Sequence, residues 1–514
     1  MEKRIRLEKG LVCQMAETTQ NIAENRQKRY VGVKETLIYG IANGGQCMSY
    51  TFLSSYLTYF FVNVFNIEPG AVATMIFVLG IWDTINDPLM GSFIDKTRTR
   101  YGKLRPYLFL VPIPLAVATV MLFSGPMFFV GEPSNSIKKI VYMYLSYVIW
   151  EMLYTIVDVP FWGMSASISP NPLDRSRTIG SARFISSILG GIPGIVIAPV
   201  IDIVKSGTTS ITLPQAFAVL GLVVSVLGMG LFSLSGICCK ERILQPMDDP
   251  QLLDGFKSLL HNKPLLIIVL ANVLGCLGGI GGIFQNYLYI DVLGSATIGL
   301  VLGIPGTVVG FLSYAIVPML KKRMDNKQII IFAAVFRAVL NTVCFFLGLG
   351  FLHNTVMLSL IIAVRGAVNA LFTAVDMIVP TEMIGDTVDY MEWKTGKRNE
   401  GMSFSVLTFV GKFTGSMSKS FGTAALALIG YQTAVNGQIV VQTLDTQRGI
   451  WAFFTILSAI FSLVGMIPYI FYKLDGKTMK KIRADLDERR EQLTEEVTEL
   501  AAGQENGQEA MQNG

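Results

Sequence analysis

The sequence carries little charge for a chain of its length. Only 15% of its 514 residues are Asp, Glu, Lys or Arg, whereas a soluble protein has about a quarter. Fifty-one per cent of the residues are hydrophobic, and the mean hydropathy is +0.50. This composition excludes an ordinary soluble protein. The net charge of +5 is modest and lies between the apolar segments, which indicates membrane topology rather than nucleic-acid binding.

Histidines and paired cysteines are also scarce. With only 2 histidines, a histidine-rich metal centre is excluded. The 6 cysteines are scattered or lie in apolar segments without CxxC spacing, so we expect neither a zinc site nor structural disulfides. We find no nucleophile–base pair, phosphate-binding loop or appended soluble domain, which argues against an enzyme and against a signalling sensor. We expect no cofactor.

What the sequence has instead is a series of apolar segments of about 20 residues, the length that crosses a ~30 Å hydrocarbon core. They predict an all-α membrane protein with twelve transmembrane helices. The predicted spans are 38–64, 70–94, 104–125, 139–166, 179–204, 212–237, 264–290, 296–320, 328–351, 355–380, 401–430 and 449–472.

The spans form two groups of six, within 35–237 and 264–472, joined by a polar middle loop at 238–263. Lys and Arg are concentrated in alternate loops, so both tails, 1–34 and 473–514, are expected in the cytoplasm of a cell-membrane protein. We see no cleavable signal peptide before the first span. Two six-helix halves around a midplane site are typical of secondary transporters.

The last part of the chain spaces apolar residues as one helical stripe among charges, at Met479, Ile482, Leu486, Leu493, Val497 and Leu500. One interpretation is a solvated helix followed by a disordered tail. The alternative is a helix that lies on the membrane surface or pairs with another helix.

Three acidic residues, Asp83, Asp87 and Asp158, lie inside predicted spans. A carboxylate at the bilayer centre costs about 2.5–3.5 kcal/mol, so it is seldom without a role. Asp83 and Asp87 share one helix face, about 6 Å apart along the axis, and Asp158 shares a face with Thr155. Two carboxylates this close need a nearby positive charge to stay ionised. The pattern predicts a cation site, and the alternative is structural pairing with a buried Lys or Arg.

Five separated segments carry a resemblance to a known family. They are WDTINDPLMG at 82–91, TRTRYGK at 97–103, YTIVDVPFW at 154–162, DTVDYMEWK at 386–394 and SVLTFVGK at 405–412. In this order they resemble the second helix and its loop, the fourth helix, the tenth loop and the eleventh helix of the glycoside–pentoside–hexuronide:cation symporters, a branch of the major facilitator superfamily. The fourth-helix segment closely matches the melibiose-carrier type, and the resemblance covers essentially residues 35–472.

The resemblance implies a binding site for a coupling cation, Na+, Li+ or H+. Its positions are Asp83, Asp87 and Thr155, which could hold Na+, with Asp158 beside them. Oxygen ligands suit such a hard monovalent cation. The resemblance also implies sugar contacts at Asp158, Tyr154, Trp162 and Arg183, and a lysine beside the acidic pair at Lys412. For Arg183 the alternative is a side chain that snorkels to the interface, and for Trp162 a place in an aromatic belt.

The sequence departs from the melibiose pattern at several positions. Gln46 and Cys47 stand where that carrier has a lysine and a sugar-binding aspartate, and Glu151 stands where it has glycine. We keep these three and Thr408 as candidate substrate contacts, while melibiose itself is in doubt as the substrate. The alternative for Glu151 is a structural pair with a buried arginine. Three further charged residues within the spans receive no role at this stage: Arg337, Arg365 and Asp376.

A second group of charges is expected to form cytoplasmic gating and salt-bridge networks. Its members in the first half are Asp95, Arg98 and Arg100. Its members in the second half are Asp386, Asp389, Glu392 and Arg398, which we place in the tenth loop.

The resulting hypothesis is a cation-coupled symporter that imports a glycoside, pentoside or hexuronide by alternating access. Its expected partners are the sugar, the cation and the lipid bilayer, with no nucleic acid, and it is expected to act as a monomer. One alternative keeps the fold but carries an amphiphile such as a lysolipid. A more distant alternative is a membrane enzyme or a non-transporting sensor.

Overall fold

The computed structural model describes residues 29–97, 99–169, 171–242, 262–396, 400–433 and 440–489. Within these ranges the repetitive secondary structure is helical, and one isolated β-bridge joins Thr99 and Gly102. The chain divides into two compact units. The first comprises the described parts of Met1–Asp249 with Gln285–Val301 and Lys419–Gln447. The second comprises the described parts of Pro250–Phe284, Leu302–Ser418 and Arg448–Gly514.

Eight α-helices cover the first half of the chain. They are α1 Val33–Tyr59, α2 Pro69–Lys96, α3 Arg105–Leu110, α4 Pro112–Phe128, α5 Ile137–Ser167, α6 Pro172–Leu189, α7 Ile192–Lys205 and α8 Leu213–Cys238. A π-helical turn, Phe60–Val64, extends α1.

The remaining helices follow the middle segment. They are α9 Lys263–Gly275, α10 Gly281–Tyr287, α11 Ala296–Lys321, α12 Asn326–Leu349, α13 Thr355–Ala370, α14 Thr373–Thr395, α15 Glu400–Leu428, α16 Leu444–Ala452, α17 Ser458–Val464, α18 Ile467–Ile470 and α19 at 476–489. Short 3-10 and π segments join several of them, at Cys276–Ile280, Leu288–Val292 and Phe453–Leu457.

Helical structure coincides with each of the twelve predicted spans. Within the described residues, nine helices are long and apolar enough to cross a membrane, and Pro112–Phe128 is a shorter apolar helix. The all-helical membrane fold is therefore confirmed, and the number of twelve crossings stays a prediction. The division into halves at 238–263 also stays a prediction, since 243–261 lie outside the described residues.

Helix starts follow local capping chemistry. Pro69 and Pro112 begin α2 and α4, where a missing N–H costs nothing. Asn354 accepts a hydrogen bond from the N–H of Met357 and so caps α13. Thr212 and Gln215 form a capping box at the start of α8, and Asp325 and Gln328 form one at the start of α12.

Close packing of α1 decides where the site lies. A Cβ atom at Gly45 would collide with the carbonyl oxygen of Gly228 on α8, and one at Gly44 would collide with Leu189 on α6. Glycines at these positions let the helix backbones approach closely, as small residues do between membrane helices. The close packing of α1 on α6 and α8 fixes the register of α1. It thereby also fixes the positions of Gln46 and Cys47, the two candidate site residues that follow Gly45.

The core of the second unit includes the end of the chain. Met479, Ile482 and Leu486 are buried in one apolar cluster with Val379 and Met383 of α14. The stripe therefore packs on another helix, and the interpretation of a solvated helix is wrong for 476–489. The predicted disordered tail and the rest of the stripe lie outside the described residues.

Candidate functional site

One face of α5 forms an aromatic and acidic wall in the first unit. The rings of Tyr147, Trp150 and Tyr154 stack in sequence, with centroid distances of 6.2 Å and 5.0 Å. Tyr50 of α1 adds a ring 5.1 Å from Tyr154. The Trp150 indole N–H donates to the hydroxyl of Thr119, 3.0 Å away, which holds the stack in place. Aromatic faces of this kind can cover the apolar side of a pyranose.

Asp158 lies on the same helix and is held from α1. The amide Nε2 of Gln46 donates to Oδ1 of Asp158 at 2.7 Å, and Gln46 is only 1% exposed. The amide Oε1 of Gln46 is buried and accepts no hydrogen bond from the described residues. Gln46 therefore orients the carboxylate and keeps an acceptor for a further donor such as a sugar hydroxyl.

Two more predicted contacts lie around this carboxylate. The Cys47 thiol lies beside Ser186 of α6, within electrostatic range of Asp158 and Arg183. The Arg183 guanidinium lies 4.3 Å from the ring centre of Trp162. An arginine held flat on an indole keeps its outward N–H groups available for hydroxyl or carboxylate oxygens. The structure thus brings together six predicted substrate positions: Gln46, Cys47, Tyr154, Asp158, Trp162 and Arg183.

The acidic pair lies on α2. Asp83 and Asp87 are both partly buried and one helical turn apart, and Thr155 on α5 is buried. Asp83 lies within electrostatic range of the hydroxyl of Tyr147 on α5. All three carboxylates belong to the first unit, and their role in cation binding stays a prediction.

Glu151 has neighbours that the sequence did not indicate. Its carboxylate lies beside the hydroxyl of Tyr147, one turn earlier on α5. Both Glu151 and Asp83 attract the ammonium group of Lys419 on α15. Lys419 is a charged residue near these acids that sequence reasoning missed. The available signal was its position, seven residues after Lys412 inside an apolar span, which places both lysines on one helix face.

The proposed arginine partners of Glu151 have other contacts. Arg337 pairs with Asp376 at 2.7 Å and donates to the carbonyl of Phe372 at 3.1 Å. Arg365 donates to Oδ1 of Asn341 at 2.6 Å and to the carbonyl of Phe454 at 2.9 Å. The alternative in which Glu151 pairs with such an arginine stays untested.

Two predicted substrate positions lie in the second unit. Thr408 is exposed and Lys412 is partly buried, both on α15. Their assignment as substrate contacts stays a prediction.

The gating residues of the second half lie on a helix, which corrects their placement in a loop. Asp386, Asp389 and Glu392 belong to α14, which continues to Thr395 beyond the predicted end of its span. Asp386 accepts a hydrogen bond from Arg483 of α19 at 2.7 Å, and Asp389 lies 3.6 Å from the same guanidinium. Arg398, the expected partner, lies outside the described residues.

In the first half, the side chain of Asp95 and the whole of Arg98 lie outside the described residues. Arg100 donates to the hydroxyl of Tyr101 at 2.6 Å. The gating role of these three residues stays a prediction.

Comparison with known proteins settles the family. Residues 38–476 match the protein family described as MFS/sugar transport protein. The chain is 27% identical over 485 residues to the inner membrane symporter YicJ of Escherichia coli strain K12, covering 91% of this chain and 98% of that protein. It is 27% identical over 476 residues to the isoprimeverose transporter of Lactiplantibacillus pentosus, covering 90% of this chain and 93% of that protein.

The chain belongs to the glycoside–pentoside–hexuronide:cation symporter family of the major facilitator superfamily. Among solved structures it resembles a bacterial homologue of the human lysosomal transporter Spinster, in an inward-facing and unoccupied conformation. The TM-score is 0.59 at 12% identity, covering 87% of this chain and 98% of that one, which supports the fold alone. This symporter-family member is thus a multi-pass membrane protein, as its apolar helices indicate.

Proposed function

We propose that the protein imports a sugar or glycoside together with a monovalent cation, Na+, Li+ or H+, by alternating access in the cell membrane. The observation that carries the proposal is the position of Asp158. Its carboxylate is oriented by Gln46, lies on the helix that carries Tyr154 and Thr155, and acts with Arg183 on Cys47. One carboxylate thus joins the sugar positions to the neighbourhood of the acidic pair.

The lining favours a sugar over an amphiphile. Stacked aromatic rings, an amide, a carboxylate and a guanidinium match the hydroxyl groups and the apolar face of a pyranose. Two relatives are named for substrates of this class, an isoprimeverose transporter and a glucuronide carrier homologue. We assign no chemical reaction to any residue. We also propose that both termini lie in the cytoplasm.

Coupling follows from shared binding energy. If the cation holds Asp158, Asp83 and Asp87 in their sugar-binding arrangement, it raises the affinity for the sugar. By thermodynamic linkage, the sugar then raises the affinity for the cation by the same factor. Neither ligand is carried efficiently alone, which is the condition for symport.

The test is uptake into proteoliposomes that contain the purified protein. Isoprimeverose, lactose, raffinose, a methyl glucuronide and a lysolipid are each offered with an inward gradient of Na+, Li+ or H+. We expect accumulation of at least one sugar above its outside concentration under one of the gradients. Accumulation of the lysolipid alone would favour the amphiphile carrier, and uptake of no sugar under any gradient would contradict the proposal.

A further inference from the structure

Two segments that follow the middle of the chain belong to the first unit. They are Gln285–Val301 and Lys419–Gln447, and they are part of the same compact unit as α1 and α7. The predicted topology puts both tails in the cytoplasm, so α1, α7 and α15 end, and α11 begins, on the opposite side, called here the outer side. Contacts between these helix ends therefore join parts of the two predicted halves on the outer side.

Asp202, near the end of α7, is bonded to the start of α11. Its Oδ1 accepts a hydrogen bond from the N–H of Ala296 at 2.7 Å. Its Oδ2 accepts hydrogen bonds from the N–H of Thr297 at 2.9 Å and from the hydroxyl of Ser295 at 2.6 Å. The first N–H groups of a helix have no partner within that helix, and a carboxylate suits them in both charge and geometry. One side chain thus makes three hydrogen bonds between two helices.

The start of α11 does not depend on Asp202 for its own stability. The hydroxyl oxygen of Ser295 accepts a hydrogen bond from the N–H of Ile298 at 3.3 Å, so α11 also has a cap of its own. When Asp202 moves away, the carboxylate and the N–H groups that it contacts can bond to water instead, and the net cost is small. The contact is therefore suited to repeated breaking and re-forming.

A second set of contacts lies three residues further along α7. The ammonium group of Lys205 lies 3.8 Å from Oδ1 of Asp291, whose side chain is only 2% exposed, and donates to the carbonyl of Ile290 at 3.3 Å. The hydroxyl of Tyr431, just after α15, donates to Oδ2 of Asp291 at 2.8 Å. The same hydroxyl lies 3.0 Å from Oδ1 of Asn63, in the π-helical turn that extends α1. Asp291 is thus held from α7 and from the end of α15.

Both sets of contacts are made by one tight turn before α11. Asp291 and Ser295 lie at its two ends, and the N–H of Ser295 donates to the carbonyl of Tyr289 at 3.0 Å. Gly294 within the turn has a φ of 78°, in the left-handed region that favours glycine. Because the turn is held by its own backbone, Asp291 and Ser295 should leave their partners on α7 together.

We propose that Asp202 and Lys205 form an outer latch, which closes the sugar pathway on the outer side and must break each time that side opens. This inference rests on the proposed function and on its topology. The latch joins α7 to the turn before α11 through polar contacts alone, and both of its residues lie on one face of α7. Weakening it should therefore shift the carrier toward the state that is open to the outside.

The native thiol of Cys47 reports whether the outer side is open. Cys47 is a candidate substrate position on α1 and is partly buried. A small membrane-impermeant methanethiosulfonate is added to right-side-out or to inside-out membrane vesicles that contain the full chain. Mass spectrometry of the peptide that carries Cys47 then gives the rate of its modification from each side.

We expect Asp202→Ala to raise the rate of modification from the outer side by about threefold to tenfold and to lower the rate from the cytoplasmic side. The reason is that loss of the three hydrogen bonds favours the outward-open state at the expense of the inward-open state. Tyr431→Phe removes a single hydroxyl, so it should shift both rates in the same directions by a smaller factor. A general loosening of the fold would instead raise both rates.

Asn354 provides a matched control. It also caps a helix through its side chain, accepting a hydrogen bond from the N–H of Met357 at 3.1 Å, and the predicted topology puts the start of α13 on the outer side as well. Its bond lies within a single helix end and joins no second helix. Asn354→Ala should therefore leave both rates of modification unchanged.

Unchanged outer access in Asp202→Ala, or an increase from the cytoplasmic side, would overturn the latch. If Asp202→Ala does not accumulate in the membrane, Lys205→Met carries the test with the same expected directions and is judged in the same way. The assay needs no substrate, so the two proposals fail separately. Absence of sugar uptake contradicts the proposed function, whereas normal uptake with unchanged access in the variants overturns the latch alone.

Discussion

The two units accommodate their charged side chains differently. In the second unit, Arg337 and Arg365 each bond to one side chain and to one backbone carbonyl of a neighbouring segment. In the first unit, carboxylates of α2 and α5 lie within electrostatic range of Lys419 on α15, and α5 also carries a stack of aromatic rings. Backbone carbonyls are immobile partners, so the arginines tie helices together. Converging carboxylates can exchange partners with a mobile ligand.

Whether an ionisable residue within a span has a functional or a structural role therefore depends on its partners. An arginine bonded to backbone carbonyls contributes to folding stability. Asp158 accepts a hydrogen bond from the amide of Gln46, and a carboxylate has several acceptor sites that a ligand can share. The difference can be measured, because the first class should alter stability and the second should alter binding.

The largest effect is expected at the acidic pair. Asp87→Asn removes one of the two carboxylates of the predicted cation site, so cation-driven sugar accumulation should be abolished while the protein still reaches the membrane. The measurement is sugar accumulation in proteoliposomes under a cation gradient, with sugar exchange at equal concentrations as the control. A variant that still concentrates sugar would remove Asp87 from the cation site.

The next effect is expected on sugar binding. Asp158→Asn and Arg183→Ala should each weaken it by about tenfold to a hundredfold, since a dry site loses ~1–3 kcal/mol for each polar group left unsatisfied. Arg183→Lys should not restore binding, because the planar guanidinium on Trp162 is lost. Calorimetric titration of the sugar into purified protein measures both.

Arg365 provides the matched contrast from the second unit. Arg365→Met loses the hydrogen bonds to Asn341 and to the carbonyl of Phe454, so the folded state should lose about 1–3 kcal/mol. The melting temperature in detergent should fall, while the sugar affinity of the folded fraction stays unchanged. A selective loss of sugar affinity at normal melting temperature would place Arg365 in the binding site and break the comparison.

The smallest effect is expected at the exposed pair of Glu132 and Lys138. Hydrogen bonds from Lys138 and Ser136 lower the pKa of Glu132. A carboxyl whose pKa is lower in the folded state stabilises the fold above its unfolded pKa, about 4.3, and loses this contribution as the pH falls through the folded value. The difference in melting temperature between Glu132→Gln and the wild type should therefore be small at pH 7 and vanish in acid. A difference that grows in acid would contradict this.

The sequence predicted the parts of the site that depend on local pattern. Acids inside apolar segments are conspicuous, so Asp83, Asp87 and Asp158 were found from composition and spacing. The helical fold followed from segment length in the same way. The apolar stripe of 476–489 indicates a helix with one covered face. It does not indicate that α14 is the element that covers this face, because the stripe contains no information about its partner.

Other parts depend on three-dimensional packing, which the sequence does not show. Lys412 was chosen from the family resemblance, while Lys419 became visible only through its nearness to Glu151 and Asp83. From the sequence, Asp386 is expected in a loop because it follows the predicted span 355–380. An apolar span marks only the part of a helix that lies in the membrane, and α14 itself continues to Thr395.

The most direct test of the account is sugar affinity with and without the coupling cation. Purified protein is titrated with the sugar that the uptake panel selects, in the presence and absence of Na+ or of the other cation that drives accumulation. The account predicts that the cation raises sugar affinity several-fold in the wild type and not in Asp87→Asn. It also predicts that the sugar raises cation affinity by the same factor. Equal sugar affinity in the presence and absence of the cation that drives accumulation would contradict the central claim that the carboxylates of the first unit join cation and sugar in one site.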